Sequence, residues 1–185
     1  MTEKEAIYYE LLVLRCRQGQ KSAFEELVRM WEQRLFYYIR RLVDDEQEAW
    51  QILQEIWVKV LRGIGKLREP RKLPTWLYIT ARNTAISHIR HENARQSFFE
   101  NSKNISNNAG RDFTLSFDDA EQVHYGLGRI SLPHRDVLTL FFLQDLSAEE
   151  IAEVLEVPVG TVKSRLYYAR RALKAVLEKE VSNYE

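Results

Sequence analysis

The sequence has one cysteine, Cys16, so no disulfide can close within the chain and a reducing compartment suits it best. Only seven glycines and four prolines interrupt 185 residues that are 45% hydrophobic, which favours an all-α fold over a sheet-rich one. Long apolar runs are missing too: the longest, Val137 to Leu143, stops at seven residues and contains Thr139. A membrane span needs about 20. The opening residues MTEKEAIYYE have the pattern of neither a signal nor a transit peptide, and a cytoplasmic protein without membrane insertion is expected. No paired carboxylates, nucleophile–base pair or glycine-rich phosphate loop can be found, so neither catalysis nor a cofactor is expected. His88 and His91 stand at i and i+3, but without a third ligand of suitable spacing they predict no metal site.

Net charge is absent as well, with 27 basic and 27 acidic residues, and uniform coating of DNA by the free chain is thereby disfavoured. The charges are unevenly placed. Residues 1–95 hold 17 Lys and Arg against 13 Asp and Glu, whereas residues 96–185 hold 10 against 14. Such a chain suits a partner with patches of both signs.

What is present centres on residues 146–173, LSAEEIAEVLEVPVGTVKSRLYYARRAL. Ser147 and Glu150 form a capping-box pattern before the apolar stripe Ile151, Ala152 and Leu155, which predicts a helix. Glu156-Val157-Pro158 ends it, because proline disfavours α geometry in the residue before it and suits the first turn of a new helix. A second helix starts near Pro158 or Val159, with Val162, Leu166, Ala169 and Leu173 inward and Lys163, Ser164, Arg165, Tyr167, Tyr168, Arg170 and Arg171 on its other faces. From Val159 to Lys174 there are five basic residues and no acid, directly after a helix carrying Glu149, Glu150, Glu153 and Glu156. Folding alone does not require this change of sign. A helix-turn-helix laying its second helix in the major groove does, although a solvated helical hairpin shares the periodicity.

The same stretch resembles region 4.2 of the extracytoplasmic-function (ECF, group IV) sigma factors of bacterial RNA polymerase, chiefly in PVGTVKSRL and the following AR. Glu156 stands where that family often has glycine, and Tyr168 where a basic residue is frequent. The resemblance implies recognition of the minus-thirty-five element by Thr161, Lys163, Ser164, Arg165, Tyr167, Tyr168, Arg170 and Arg171. Upstream, LPHRDVLTLFFLQDLS resembles region 4.1.

In the N-terminal half, apolar residues dominate from Glu5 to Gln18 and Gly19 closes the segment. Ser22 and Glu25 repeat the capping-box pattern ahead of a stripe through Phe24, Leu27, Val28, Trp31, Leu35, Tyr38, Ile39 and Leu42. Asp44, Asp45 and Glu46 open a third helix with Ala49, Ile52, Leu53, Ile56, Trp57, Val60 and Leu61 inward. Six basic residues and one acid lie between Lys59 and Lys72, and Gly63, Gly65 and Pro70 predict a cationic loop there. A fourth helix starts at Pro74 and Thr75, with Trp76, Leu77, Ile79, Thr80, Asn83, Ile86, Ser87 and Ile89 along its inner stripe to about Arg95.

Leu53-Gln54-Glu55-Ile56-Trp57 resembles regions 2.1 and 2.2 of the same family, implying that Gln54 and Glu55 dock on core RNA polymerase. WLYITARN resembles regions 2.3 and 2.4. By that likeness Arg62, Lys66, Arg68, Arg71 and Lys72 grip promoter phosphates while Asn83, and less expectedly Trp76, hold a base turned out of the minus-ten element. The Asn- and Ser-rich stretch NSKNISNNAG has no apolar period and predicts a linker over residues 96–119, between a domain at 1–95 and another at 120–185. The implied partners are core polymerase, promoter DNA and an anti-sigma factor. An autonomous helix-turn-helix regulator with a ligand-binding or dimerisation domain is the alternative, though it leaves residues 59–83 without a task.

Overall fold

The computed structural model describes residues 3–43, 45–100 and 119–182, and among them every regular element is helical. The Asn- and Ser-rich stretch, with Phe113, Leu115 and Phe117, lies outside the described residues, as does Asp44. Four helices form the N-terminal half: α1 (Glu3–Arg17), α2 (Lys21–Leu42), α3 (Glu46–Gly63) and α4 (Leu73–Glu100). Four more form the C-terminal half: α5 (Asp119–Arg129), α6 (Leu132–Leu138), which continues as a π-helical stretch over Thr139–Leu143, α7 (Ala148–Leu155) and α8 (Val159–Ser182).

The N-terminal half is organised by α2, whose Leu27, Trp31, Leu35, Tyr38, Ile39 and Leu42 are buried as the helical period requires. Helix α3 adds Ile52, Leu53, Ile56 and Val60, and Asp45 caps it by accepting from the Glu48 amide at 2.9 Å. The capping box expected at Ser22 and Glu25 does not form. Gly19 takes a left-handed conformation (φ 74°), the Gln20 amide reaches back to the Arg15 carbonyl, and α2 starts two residues early with Gln20 as its cap. Leu61, expected inside, is 60% exposed.

Gly63 does not break α3; it is the last residue of that helix. A side chain there would stand 3.0 Å from the Trp76 indole, so the missing Cβ lets α4 lie close against the end of α3. The region after it is held by buried Ile64, Leu67 and Leu73 and wound into two short 3-10 turns, Ile64–Lys66 and Pro70–Lys72. Helix α4 runs on to Glu100, past Arg95.

In the C-terminal half, the Ser147 hydroxyl accepts from the Glu150 amide at 3.2 Å and the Glu150 carboxylate accepts from the Ser147 amide at 2.8 Å, closing the box reciprocally. Helix α7 ends on Glu156, which is left-handed (φ 55°). An L side chain there costs about 1–2 kcal/mol and its carboxylate opposes the helix dipole. Glu156→Gly should therefore stabilise the C-terminal half by about 1 kcal/mol even after glycine's greater chain entropy. An unchanged or lower denaturant midpoint would count against that cap.

Candidate nucleic-acid interface

Ile151, Val154 and Leu155 of α7 and Val162, Leu166 and Ala169 of α8 are all buried, and they fix the second helix across the first. The opposite side of α8 then faces outward. Lys163, Tyr167 and Arg171 follow one another at i, i+4 and i+8, and Ser164 and Tyr168 run beside them; all five are exposed. The Arg171 guanidinium lies 5.7 Å from the Tyr167 ring centroid, and the Tyr167 and Tyr168 rings meet edge to face at 5.3 Å. Ser164 donates its hydroxyl proton to the Thr161 carbonyl at 3.0 Å, leaving its oxygen as an acceptor for a base amine. The outcome is a cationic, aromatic ribbon on a capped, rigid helix pair.

Two of the expected contacts are turned elsewhere. Arg170 stacks over Phe142 at 4.9 Å and Phe141 at 5.7 Å, and so covers an apolar groove of about 420 Å³ lined by Leu127, Leu138, Leu173 and Leu177. Arg165 is half-buried, and its charge reaches the buried Asp136 carboxyl.

The residues implicated in the N-terminal half divide in the same way. Arg62, Lys66 and Arg68 are exposed and make no ion pair among the described residues. Arg71, by contrast, bonds Glu10 at 2.7 Å and Glu3 at 3.3 Å, carboxylates that hold its pKa above the ordinary value. Lys72 meets Glu153 of α7 at 3.2 Å, which raises its pKa too. Trp76 is half-buried against Gly63 and the core, a packing role first of all. Asn83 is exposed, and helical spacing sets it in line with Trp76, Thr80 and Ser87 on α4. His88 is paired with Glu48 at 2.7 Å, and no group of three metal-ligating side chains occurs among the described residues.

Gln54 and Glu55 are exposed on α3, with Glu55 bridged to Lys59 at 2.7 Å. Around them lie Trp50, Val58 and Leu61, each at least 42% exposed. Gln54, Val58 and Leu61 share one face at i, i+4 and i+7, a mixed polar and apolar strip that sequence reasoning missed because Leu61 also fits the inner period. Also missed was a buried cluster between the halves. Tyr38 of α2 donates to Asp136 of α6 at 2.6 Å, and Arg82 of α4 donates to its other oxygen at 2.8 Å. Burial pushes the Asp136 carboxyl up, against the Tyr38 hydrogen bond and the Arg82 charge that hold it down.

Among families, Sigma-70 region 2 matches residues 27–95 and Sigma-70 region 4 matches residues 123–173. The RNA polymerase sigma-H factor of Pseudomonas aeruginosa is 34% identical over 178 residues, 90% of this chain and 92% of that one. The ECF RNA polymerase sigma-E factor of Haemophilus influenzae is 31% identical over 92% of this chain and 95% of its own. In fold the chain is similar to the sigma factor RpoE of Bartonella quintana, solved with the anti-sigma factor NepR (TM-score 0.70, 21% identity, 84% of this chain and 96% of that one). It is similar also to CnrH, solved with the cytosolic domain of CnrY (TM-score 0.68, 22% identity, 91% and 96%).

Proposed function

Because this chain belongs to the extracytoplasmic-function sigma factors of the sigma-70 family, we propose that it directs core RNA polymerase to specific promoters and begins their opening. The carrying observation is the pairing, on one polypeptide, of the capped α7–α8 pair with its exposed ribbon and the α3–α4 unit with its cationic approach. The first suits duplex. Lys163, Ser164 and Tyr167 reach base edges in a major groove, and Arg171 and Thr161 contact phosphate, in the minus-thirty-five element. The second suits an unpaired strand: Arg62, Lys66 and Arg68 hold backbone while Asn83 offers its amide to an extruded minus-ten base. Extrusion costs a few kcal/mol per base, which contacts available only to the flipped base offset.

Polymerase docks on α3, where Gln54 and Glu55 set the register and Val58 and Leu61 supply apolar anchoring. The domains divide at residues 1–95 and 120–185, joined by 96–119. Bond making belongs to the polymerase; the residues of this chain bind and position. The protein works in the cytoplasm, where an anti-sigma factor competes for the same surfaces. No helix among the described residues is long and apolar enough to cross a membrane.

Footprinting with and without core polymerase tests the reading. Polymerase-dependent protection, with single-strand reactivity near the start site, is expected. Protection by the free protein alone would point to an autonomous regulator, and no protection in either condition would overturn DNA recognition.

A further inference from the structure

Helix α1 carries a line of charge that neither DNA-reading surface uses. Glu3, Glu10 and Arg17 stand seven residues apart, and at about 3.6 residues per turn they fall on one side of the helix. All three reach the segment that leads from α3 into α4. Arg71 bonds the Glu10 carboxylate at 2.7 Å and that of Glu3 at 3.3 Å, and the Arg17 guanidinium donates to the Leu67 carbonyl. Leu67 lies between Lys66 and Arg68, so Arg17 holds the stretch of backbone from which two of the strand-holding cations spring.

The segment needs a hold from outside. Ile64, Leu67 and Leu73 are buried, but none of the residues from Arg68 to Lys72 is, and Lys72 turns away from α1 to Glu153 of α7. Within the segment the Leu67 amide bonds the Ile64 carbonyl at 3.3 Å and the Lys72 amide bonds the Glu69 carbonyl at 2.9 Å, two short turns and no more. Helix α1, in contrast, is fixed. Its Ala6, Tyr9, Leu12 and Val13 are buried, and on the flank away from the segment Tyr8 and Arg15 both bond Glu26 of α2, Arg15 at 2.9 Å. Position is thus handed from α2 to α1, and from α1 to the segment.

We infer, resting on the sigma-factor reading, that α1 is a brace for the minus-ten pocket: Arg17, Glu10 and Glu3 are positioning residues that set Lys66 and Arg68 against Asn83 of α4, and Arg71 ties the segment to α1 instead of gripping promoter phosphate. The physical reason is preorganisation. Extruding a base is near balance, and ordering a segment at the same moment costs, for each residue fixed, about as much as one good contact returns. A segment already in place when the strand arrives avoids that cost. Arg71 is also poorly placed to serve a phosphate, because two carboxylates already take its guanidinium and a phosphate would have to displace them.

Hydrogen exchange of the free full-length chain tests the brace itself. Arg17→Gln should speed exchange of the bonded Leu67 and Lys72 amides by about 5- to 10-fold, the effect of one lost charge-assisted bond at an exposed position, and leave the amides of α2 and α3 unchanged. Unchanged exchange in the segment, or faster exchange throughout the chain, overturns the inference. Charge reversal, with core polymerase and a promoter fragment, tests the role. In chains that also carry Glu3→Gln, so that a single acid faces Arg71, Glu10→Arg and Arg71→Glu should each lower permanganate reactivity of the minus-ten thymines by about 5-fold, the ceiling for an exposed pair, with promoter occupancy held within about 2-fold. Glu10→Arg/Arg71→Glu, which restores the pair in reverse, should recover most of that loss, as a bulk loss of stability would not. An Arg71 that grips phosphate gives the other pattern: Glu10→Arg opens the promoter at least as well as its parent, and the double variant opens it no better than Arg71→Glu does. That pattern overturns the inference. A polymerase-dependent footprint by wild type, measured alongside, separates failure of the brace from failure of the reading beneath it.

Discussion

Asn83→Ala should leave recruitment of polymerase to the promoter nearly intact and lower the extent of opening by about 10- to 100-fold, the effect of about 1–3 kcal/mol of lost base recognition. Asn83 is exposed, and its side chain makes no hydrogen bond among the described residues. Its neighbours hold α4 in place without it: Thr84 donates to the Thr80 carbonyl at 2.8 Å and accepts from Lys59 at 3.0 Å, while Ala81 and Ala85 are fully buried. The substitution therefore removes one amide, whose donor and acceptor match a base edge, from a rigid platform. Extrusion is near balance, so a single lost contact moves the open fraction steeply while the closed complex, held by α8 and by polymerase, is unaffected. Permanganate reactivity at the minus-ten thymines is the measurement. Reactivity equal to wild type would remove Asn83 from the base pocket.

The parts of this design that can be seen in the sequence are local. Ser147 and Glu150 announce their cap because both partners lie within one turn, and Val162, Leu166 and Ala169 announce the inner face of α8 because the helix is buried on one side only. The same box written at Ser22 and Glu25 fails because a left-handed Gly19, three residues earlier, already supplies the turn and places Gln20 as the cap. Helix α4 was harder still. Of its expected inner stripe Leu77 is buried, but Trp76 and Ile79 are half-buried and Asn83 and Ser87 exposed; Leu73, Tyr78, Ala81, Thr84 and Ala85 are buried instead, since the helix packs on α2 and α3 from one side and on α7 from another. A helix covered on two sides has no single stripe to find.

Asp136 shows where sequence reasoning stops. It lies 98 residues from Tyr38 and 54 from Arg82, and a lone acid in LPHRDVL reads as surface. Only the meeting of α6 with α2 and α4 turns it into a 2% exposed carboxylate with two donors. Gly63 is a smaller case of the same kind. Its meaning is the indole of Trp76, supplied by another helix and invisible to a rule about helix breakers.

Lys163→Glu should weaken occupancy of promoters that depend on the upstream element by about 10- to 100-fold while leaving association with core polymerase unchanged. Lys163, the fifth residue of α8, is exposed and belongs to no ion pair among the described residues, so reversing its charge removes no support from the fold. The loss comes from two sources that act together. One cationic donor to a base edge or phosphate disappears, and a carboxylate is set against the DNA polyanion. The salt dependence should flatten by about one to two in log–log slope, a signature that a merely destabilised helix would not give. Arg170→Ala provides the contrast. Its guanidinium covers Phe141 and Phe142 and does not belong to the exposed ribbon, so its removal should change the salt slope far less than Lys163→Glu does. A slope change from Arg170→Ala as large as that from Lys163→Glu would mean that the ribbon is read from the wrong face of α8.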